Sequence, residues 1–293
     1  MRVVDLFCGC GGLSLGFQNA GFDIVAAYDK WEPAIEIYKK NFGHPIFNVD
    51  LSTDEAITHI ANQAPDMIIG GPPCQDFSIA GKREQGERAN LTRQYAKIVS
   101  AIKPQIFVME NVYNIVRMPI LKEAIDILHS AGYGLSKCVL DASYCGVPQT
   151  RKRFIMIGIM GGKDDDLLPD LLGGQSKKQL TVREYLGNSL NTDFYYMHPR
   201  SYNRRAVFSV DEPSSTIRGV NRPIPAQYKK HPADAANIDD GVRSLTSLER
   251  SFIQTFPSTF KWVGTKSQIE QAIGNAVPVK LAEYVANIIK KNI

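Results

Sequence analysis

The stretch Arg2-Val3-Val4-Asp5-Leu6-Phe7-Cys8-Gly9-Cys10-Gly11-Gly12 carries the clearest fold signal in the chain. Its first part, Val3–Phe7, is a β-branched and aromatic run that is typical of a strand, and it runs into closely spaced glycines. Leu13–Ala20 follows with a helical pattern, and Gly21 is a typical helix stop. A strand, a glycine-rich turn and a helix in this order predict the opening unit of an α/β domain.

The same alternation continues outward from this unit as far as Ile159. Short apolar runs predict further strands at 23–28, 45–49, 66–70, 106–110, 135–140 and 154–159. Helical patterns lie between them at 32–41, 53–62, 93–103 and 119–130. We therefore predict the α/β fold class, with a doubly wound and mostly parallel sheet that has helices on both faces.

Beyond Ile159 the chain becomes rich in Arg, Pro, Ser and Tyr, with little periodicity as far as about Arg243. Helical patterns return at 247–254 and 279–289, so we predict a smaller, irregular domain between them and the sheet. Between Phe194 and Pro232 the basic residues outnumber the acidic ones, which are Asp211 and Glu212; the basic residues are Arg200, Arg204, Arg205, Arg218, Arg222, Lys229 and Lys230. Such a run is either a solvated basic surface or a contact for nucleic acid.

The composition fits a globular protein with one large and one smaller domain: 293 residues, 44% hydrophobic and 22% charged. No apolar run reaches the about 18 residues of a membrane helix, and the N-terminal run is too short for a signal peptide. We therefore expect a cytoplasmic protein. The net charge of +4 is weak support for a nucleic-acid partner. The five cysteines are odd in number and unevenly spaced, so we expect neither a disulfide framework nor a metal site.

Three predicted strand ends carry groups that suit a nucleoside ligand. The glycines after the first strand let the backbone approach a ligand closely, although a purely structural turn is an alternative. Their spacing is not the Gly-x-Gly-x-x-Gly of a dinucleotide site, which disfavours a nicotinamide cofactor. Asp29 could accept hydrogen bonds from ribose hydroxyls, Trp31 could pack on adenine, and Asp50 could accept from the adenine amino group. Such ends meet at one crevice of an open α/β sheet.

A second group of strand ends suits nucleophilic chemistry. Gly70-Gly71-Pro72-Pro73-Cys74-Gln75 follows the fourth strand, where two prolines stiffen the loop and leave little room to bury Cys74. Since a free thiol is mostly protonated at pH 7, this cysteine needs activation nearby. Glu110 ends the fifth strand and should lie on the same rim. In Gln149-Thr150-Arg151-Lys152-Arg153, an extended backbone would direct both arginines to one face.

These motifs, taken in order with Gly274-Asn275-Ala276-Val277-Pro278, resemble the motif set of the DNA cytosine-5 methyltransferases. The compact bacterial enzymes of restriction–modification systems are the most similar. The resemblance covers residues 1–160 and about 243–293. It implies S-adenosyl-L-methionine as cofactor, double-stranded DNA as substrate, a methyltransferase fold, and a cognate restriction endonuclease as a partner.

The resemblance also implies roles for the catalytic residues. Cys74 would attack carbon 6 of cytosine, and Glu110 would donate to ring nitrogen 3. Arg151 would hold the cytosine carbonyl oxygen, and Arg153 would orient Glu110. A cytosine inside a duplex cannot be reached in this way, so the base would be flipped out.

The cofactor pattern of the family maps onto residues from every part of the predicted sheet rim. They are Phe7, Gly9, Cys10, Gly11, Gly12, Asp29, Lys30, Trp31, Asp50, Leu51, Pro73, Leu91, Asn275 and Ala276. One position departs from the family: Lys30 follows Asp29 where an aromatic or large apolar residue is usual. Which side chain covers the adenine therefore stays open.

The resemblance predicts two domains and a DNA-contacting surface. Residues 1–165 plus 246–293 would form the catalytic and cofactor-binding domain, and 166–245 the target-recognition domain. The stretch 75–90 resembles the family's loop that closes over DNA. We expect DNA contacts from Gln75, Ser78, Lys82, Arg83, Arg88, Arg204, Arg205, Thr216, Arg218 and Arg222. Arg218 and Arg222 could reach guanine edges.

Other functions fit the residues less well. The tRNA-methylating relatives of this family carry a Cys-Phe-Thr element that is absent here. A methyltransferase for amino groups would need an Asp/Asn-Pro-Pro-aromatic loop, which Pro72-Pro73-Cys74 does not match. A catalytically silent DNA-binding regulator would not need Cys74, Glu110 and the two arginines together. We expect a monomer, because each strand of a palindrome can be methylated in a separate encounter.

Overall fold

The computed structural model describes residues 1–73, 90–201 and 203–293. Several predicted site residues lie outside these ranges: Cys74, Gln75, Ser78, Lys82, Arg83 and Arg88.

A seven-stranded sheet forms the centre of the large domain in the described part of the chain. Its strands are β1 (Arg2–Leu6), β2 (Asp23–Asp29), β3 (Ile46–Asn48), β4 (Met67–Gly70), β5 (Ile106–Val112), β6 (Tyr133–Asp141) and β7 (Lys152–Met160). The spatial order is β3-β2-β1-β4-β5-β7-β6. The first five strands in this order are parallel, and β7 runs antiparallel to both β5 and β6. The predicted doubly wound, mostly parallel sheet is confirmed.

Helices cover both faces of this sheet. In chain order the helices are α1 (Gly12–Asn19), α2 (Glu32–Lys39), α3 (Glu55–Ala61), α4 (Asn90–Ile102), α5 (Pro119–Ser130), α6 (Leu168–Gly173), α7 (Val182–Leu186), α8 (Ser247–Ile253), α9 (Lys266–Asn275) and α10 (Val279–Lys291). On one face Phe17 packs with Leu281 and Val285. On the other face Tyr95 packs with Phe107 and Leu128. No helix in the described ranges is long and apolar enough to cross a membrane.

The C-terminal helix returns to the beginning of the chain. Helix α10 packs against α1 so closely that a Cβ on Gly16 would lie 2.4 Å from the Cβ of Ala282. Only glycine permits this approach. The contact brings the end of α9 beside the glycine turn after β1.

A smaller sheet lies in the region that the sequence predicts to be irregular. Its order is β10-β8-β9, with β8 (Phe194–Tyr196), β9 (Val207–Ser209) and β10 (Arg243–Ser244). Its core includes Tyr195 and Ile217, together with Ile253 of α8 and Ile273 of α9. We call residues 181–246 the lobe.

The packing differs at two places from the domain boundaries that the sequence predicts. Leu167 and Leu171 lie beyond the predicted boundary at 165, but they pack in the core of the large sheet. In the other direction, α8 and α9 share a core with the lobe, although the sequence predicts them as part of the catalytic domain. Helix α9 also packs against α2, so this helix contacts both parts of the molecule.

Candidate active site

The carboxyl ends of the parallel strands surround a cavity of about 770 Å³. It lies where the strand order reverses between β1 and β4, which is the usual ligand position in an open α/β sheet. Its walls include thirteen of the predicted cofactor residues: Phe7, Gly9, Cys10, Gly12, Asp29, Lys30, Trp31, Asp50, Leu51, Pro73, Leu91, Asn275 and Ala276. Gly11 is not part of the wall.

Backbone geometry explains the glycines of the turn after β1. Gly9 and Gly11 have φ of 54° and 97°, a region that L side chains rarely adopt. A Cβ on Gly11 would lie 2.4 Å from the Phe42 ring, so Gly11 is needed for packing behind the turn. A Cβ on Gly9 would meet no atom within 4 Å, since Gly9 faces open space in the cavity wall.

Asp29 ties the end of β2 to this glycine turn. One carboxylate oxygen accepts from the Gly9 amide at 2.8 Å, and the other accepts from the amides of Lys30 and Trp31 at 2.8 Å. The carboxylate thus shapes the cavity wall with three backbone hydrogen bonds. Any bond to a ligand would use its remaining lone pair.

An ion pair lies beside Asp29 at the cavity mouth. Lys30 Nζ is 3.1 Å from Asp50 Oδ2, and both side chains are largely exposed. The Ser52 amide donates to Asp50 Oδ1 at 2.9 Å. This amide, together with Lys30, holds the pKa of the Asp50 carboxyl below its ordinary value. The departure at position 30 therefore places a lysine, paired with Asp50, where the family usually has an apolar side chain.

The acid at the end of β5 is paired with an arginine of β7. Arg153 Nε lies 2.8 Å from Glu110 Oε1, and the two side chains are only 13% and 10% exposed. Their strands are antiparallel neighbours, which brings positions distant in sequence together. Burial raises the pKa of Glu110, although Arg153 and then Arg151 act in the opposite direction. The carboxyl therefore keeps its proton to a higher pH than an exposed glutamate.

The exit of β4 is fixed to the same place by a residue whose role the sequence reasoning missed. Asn111 Nδ2 donates to the Pro72 carbonyl at 3.0 Å. A Cβ on Gly71 would lie 3.1 Å from Glu110 Oε2, so the loop passes directly beside the acid. Pro73, which precedes Cys74 in the sequence, lines the same cavity as Glu110. The Glu110-Asn111-Val112 motif was the available signal for Asn111.

Arg151 has different contacts from those that the resemblance implies. Its guanidinium is fully buried and donates to the backbone carbonyls of Ile217 at 2.8 Å, Gly274 at 2.9 Å and Ala276 at 3.0 Å. Arg151 Nε is buried and has no hydrogen-bond partner among the described residues. Arg151 still lines the cavity, but its terminal nitrogens join β7 to the lobe and to α9.

Two glutamines extend this junction and were not predicted. Gln149 Nε2 donates to Gln254 Oε1 at 2.8 Å, while Gln149 Oε1 accepts from the Ile217 amide at 2.8 Å. Gln254 in turn donates to the Ile273 carbonyl at 2.6 Å. Thr216, a predicted DNA contact, donates to the Thr150 carbonyl at 2.8 Å. These bonds join the lobe to the strand that carries Arg153.

The remaining predicted DNA contacts fall into two groups. Arg205 is paired with Glu212 and lies 4.2 Å from the centre of the Phe208 ring, so it is tied down inside the lobe. Arg204 and Arg222 are exposed, and Arg218 is half-buried and donates to the His198 carbonyl.

Arg218, Arg222 and Arg200 form a basic cluster beside His198. Burial lowers the pKa of His198, and the charges of Arg222 and Arg218 add to the effect. Arg200 likewise contributes to lowering the pKa of Arg218. None of these three arginines has a carboxylate within ion-pair distance in the described part of the chain, so their charges are available to an anion.

The large sheet thus has one antiparallel strand, β7, and a cavity at the point where the strand order reverses. A family model described as C-5 cytosine-specific DNA methylase matches residues 1–291. The chain belongs to the C-5 cytosine-specific DNA methylase family. The family predicted from the motifs is therefore confirmed.

Two relatives agree with this assignment, and a solved structure shares the fold. The chain is 57% identical over 292 residues to the Type II methyltransferase M.HindV of Haemophilus influenzae, covering 99% of this chain and 96% of the relative. It is 57% identical over 288 residues to the Type II methyltransferase M.HgiDI of Herpetosiphon aurantiacus, covering 98% and 93%. The S. pombe Dnmt2 methyltransferase superposes with a TM-score of 0.75 at 19% identity, covering 100% of this chain and 98% of that one. The last likeness shows the fold alone.

Proposed function

We propose that this chain methylates carbon 5 of cytosine in a short duplex DNA sequence, as the modification enzyme of a restriction–modification system. The observation that carries the proposal is the Glu110–Arg153 pair on the cavity rim, beside the loop that leads to Cys74. An acid whose pKa is raised by burial, next to a potential nucleophile, is the arrangement that attack on a pyrimidine ring needs. The Type II methyltransferases M.HindV and M.HgiDI, each 57% identical, support the restriction–modification role.

The cavity fits S-adenosyl-L-methionine in size and in the groups around it. Its volume suits a ligand of this size. The open space at Gly9 allows close approach to the backbone, and Trp31 offers an aromatic surface. Asp29 and Asp50 keep acceptor capacity for ribose hydroxyls and the adenine amino group. When bound, the cofactor supplies an electrophilic methyl group.

Cys74 and Glu110 have separate roles in the methylation of cytosine. The Cys74 thiolate adds to carbon 6 of the cytosine, and Glu110 donates its proton to nitrogen 3 as charge develops there. Carbon 5 takes the methyl group and then passes its proton to water. The bond from carbon 6 to Cys74 breaks, which restores the thiolate, and nitrogen 3 returns its proton to the Glu110 carboxylate. Burial, which raises the pKa of Glu110, favours the protonated form that this step requires.

The hydrogen bonds of Arg151 favour a different division of roles from the one that the resemblance implies. Its terminal nitrogens already bind backbone carbonyls, whereas the Arg153 guanidinium lies at the cavity wall beside Glu110. We therefore place Arg153 beside the carbonyl oxygen of the flipped base. Arg151 would support it from behind by fixing α9 and the lobe.

The lobe supplies the surface for the DNA. Arg200, Arg218 and Arg222 lie together without carboxylate partners in the described ranges, and a phosphate or a guanine edge would satisfy them. A flipped cytosine would then enter the cavity between this cluster and Glu110.

A methyl-transfer assay tests the proposal. Purified protein is incubated with S-adenosylmethionine labelled in its methyl group, with mixed duplex DNA or with transfer RNA, and the labelled nucleoside is identified. We expect 5-methylcytosine in the DNA, and no label after the Cys74→Ser change. Label in transfer RNA alone, or on a different atom of DNA, would contradict the proposal.

A further inference from the structure

A buried ion pair connects the two helices that lie between the lobe and the large domain. Arg250 of α8 contacts Glu270 of α9, and their side chains are only 2% and 4% exposed. Neither residue lines the cavity, and neither belongs to the predicted site. Charges buried to this degree need a reason, because desolvating them is costly.

The pair binds the backbone of one short segment of the lobe. We call residues 216–222 the recognition segment. Arg250 donates to the carbonyl of Arg218 and, at 3.3 Å, to that of Val220. Glu270 Oε1 accepts from Asn221 Nδ2 at 2.9 Å. The backbone carbonyls of residues 218 and 220 and the side chain of Asn221 are therefore attached to the pair.

Glu270 also ties the segment to the start of α8. Its Oε1 accepts from Ser247 Oγ at 2.6 Å, and Asn221 Nδ2 donates to the Leu245 carbonyl at 2.9 Å. The carboxylate thus compensates the charge of Arg250 and serves as an acceptor for two polar side chains. Such a network is fully effective only when its acceptors and donors are all in place.

The recognition segment is pressed against the helix that ends at the cavity. A Cβ on Gly274 would lie 2.1 Å from the Gly219 amide nitrogen, and one on Gly219 would lie 2.4 Å from Gln271 Oε1. Gln271 and Gly274 both line the cavity. The segment has little freedom to move on this side, and the bonds from Arg250 and Glu270 hold residues 218–221 on the other.

A buried pair of this kind is poorly explained by stability alone. Replacing both partners of such a pair with residues that lack charge is often neutral for stability, whereas removing one partner is strongly destabilising. The bonds to the recognition segment are the feature that apolar residues could not supply. They fix the backbone between the two arginines that we assign to base reading.

We propose that Arg250 and Glu270 are positioning residues that set the sequence discrimination of the enzyme. They hold the backbone from residue 218 to 221 so that the Arg218 and Arg222 side chains meet the DNA at fixed positions. The inference rests on the proposed function, which gives the lobe the task of reading DNA. Base contacts depend on geometry within a few tenths of an ångström, so a loosened segment should recognise wrong sequences nearly as well as the right one.

The test uses the double variant Arg250→Met, Glu270→Gln. Methionine fills the space of the arginine stem, and glutamine keeps an acceptor for Asn221 and Ser247 while removing the second buried charge. The preferred site is first found by methylating a random duplex library with the wild-type protein and sequencing for 5-methylcytosine. Values of kcat and KM are then measured on that site and on sites changed at one base pair.

We expect the ratio of kcat/KM between the preferred and the changed sites to fall by about tenfold or more, the size of one base contact. The loss should lie mainly in KM for DNA, with cofactor binding unchanged. The single variant Asn221→Ala, which removes no buried charge, should lower the ratio in the same direction. The single variant Arg250→Lys should retain part of the discrimination, because a cationic donor remains beside Glu270.

The matched control is Arg183→Met, the same chemical change in the same lobe. Arg183 pairs with Asp211 at 2.5 Å and Asp193 at 2.6 Å and has no described contact with the recognition segment. Unchanged discrimination in both the double variant and Asn221→Ala would overturn the inference, even if the double variant unfolds at a lower temperature. A wild-type protein that methylates no duplex would instead overturn the proposed function on which it rests.

Discussion

The large sheet and the lobe hold their functional side chains in different ways. On the sheet rim, Asp29 ends β2 and is paired with β3, and Glu110 lies near the end of β5 and is paired with β7, so the backbone ladder places both. In the lobe the strands have only two or three residues, and the recognition segment has none of its own. Arginine and glutamine side chains hold it instead, through bonds to backbone carbonyls and amides.

The difference indicates a division between chemistry and recognition. Because strand pairing fixes Asp29 and Glu110, we expect them to keep their positions when the recognition segment changes. A segment held by side chains can change its target through a few substitutions while the fold is kept. We therefore expect substitutions on the rim to abolish methylation. Substitutions in the lobe should change which DNA sequences are methylated.

The largest effect is expected at the nucleophile. Cys74→Ser should lower kcat by about 10⁴-fold or more, because the hydroxyl cannot replace the thiolate. Single-turnover methylation measures this. Cys138→Ser is the matched control, since Cys138 lies half-buried in β6 away from the cavity, and it should keep wild-type activity. Comparable activity in the two variants would contradict the role of Cys74 as the nucleophile.

A smaller but still large effect is expected at the acid. Glu110→Gln keeps a hydrogen-bonding group beside Arg153 but cannot donate a carboxyl proton, so kcat should fall by about 10²- to 10⁴-fold. The matched control is Glu123→Gln, an exposed glutamate paired with Arg93. Its kcat should stay at the wild-type level. A Glu110→Gln enzyme with normal kcat would remove the proton-donating role.

In the lobe, Arg218→Ala should act on selection and not on chemistry. We expect about 10- to 100-fold weaker discrimination at one base pair of the target, with kcat at the preferred site largely retained at saturating DNA. Competition between oligonucleotides that differ at one position measures this ratio. If binding to all DNA sequences weakened equally, Arg218 would contact phosphate and would not read the sequence.

The smallest expected effect is on the pH dependence of stability, at the buried side chain of Asp5 in β1. Asp5 accepts from Ser14 Oγ at 2.7 Å and is fully buried, and burial raises the pKa of Asp5 to about 7. The stability that its protonated form provides is therefore full below pH 3.8 and is lost as the pH rises towards 7. Asp5→Asn stays neutral throughout.

Melting temperatures of the two proteins test this titration. The advantage of Asp5→Asn over wild type should grow by about 5 °C between pH 5 and pH 7 and level off above pH 7. The exposed Asp239→Asn variant is the control and should follow the wild-type profile. A constant difference between Asp5→Asn and wild type at every pH would mean that Asp5 does not titrate in this range.

The sequence predicts the helices and strands in which buried apolar residues recur at regular spacing. Helix α5 has the predicted bounds Pro119–Ser130, because proline marks its first turn and apolar residues recur at helical spacing. Helix α9, Lys266–Asn275, was not predicted. Its buried face includes Glu270 and Gly274, which give no apolar signal.

The sequence likewise predicts only those site residues that a local pattern positions. Strand ends carry Asp29, Asp50 and Glu110 to one rim, and the pattern of strands was enough to expect this. The Arg250–Glu270 pair and the bonds of Arg151 join segments that are far apart in the sequence. Such contacts depend on how the lobe docks on the sheet, which no local pattern records.

Duplex DNA with 5-fluorocytosine at the preferred site directly tests whether Cys74 attacks carbon 6 of the cytosine. Fluorine at carbon 5 blocks the final loss of a proton, so the bond from the enzyme to carbon 6 should persist in the presence of cofactor. We expect a covalent protein–DNA complex whose only modified peptide contains Cys74. Folded protein that methylates the ordinary site but forms no such complex, or forms one through another residue, would contradict the proposed mechanism.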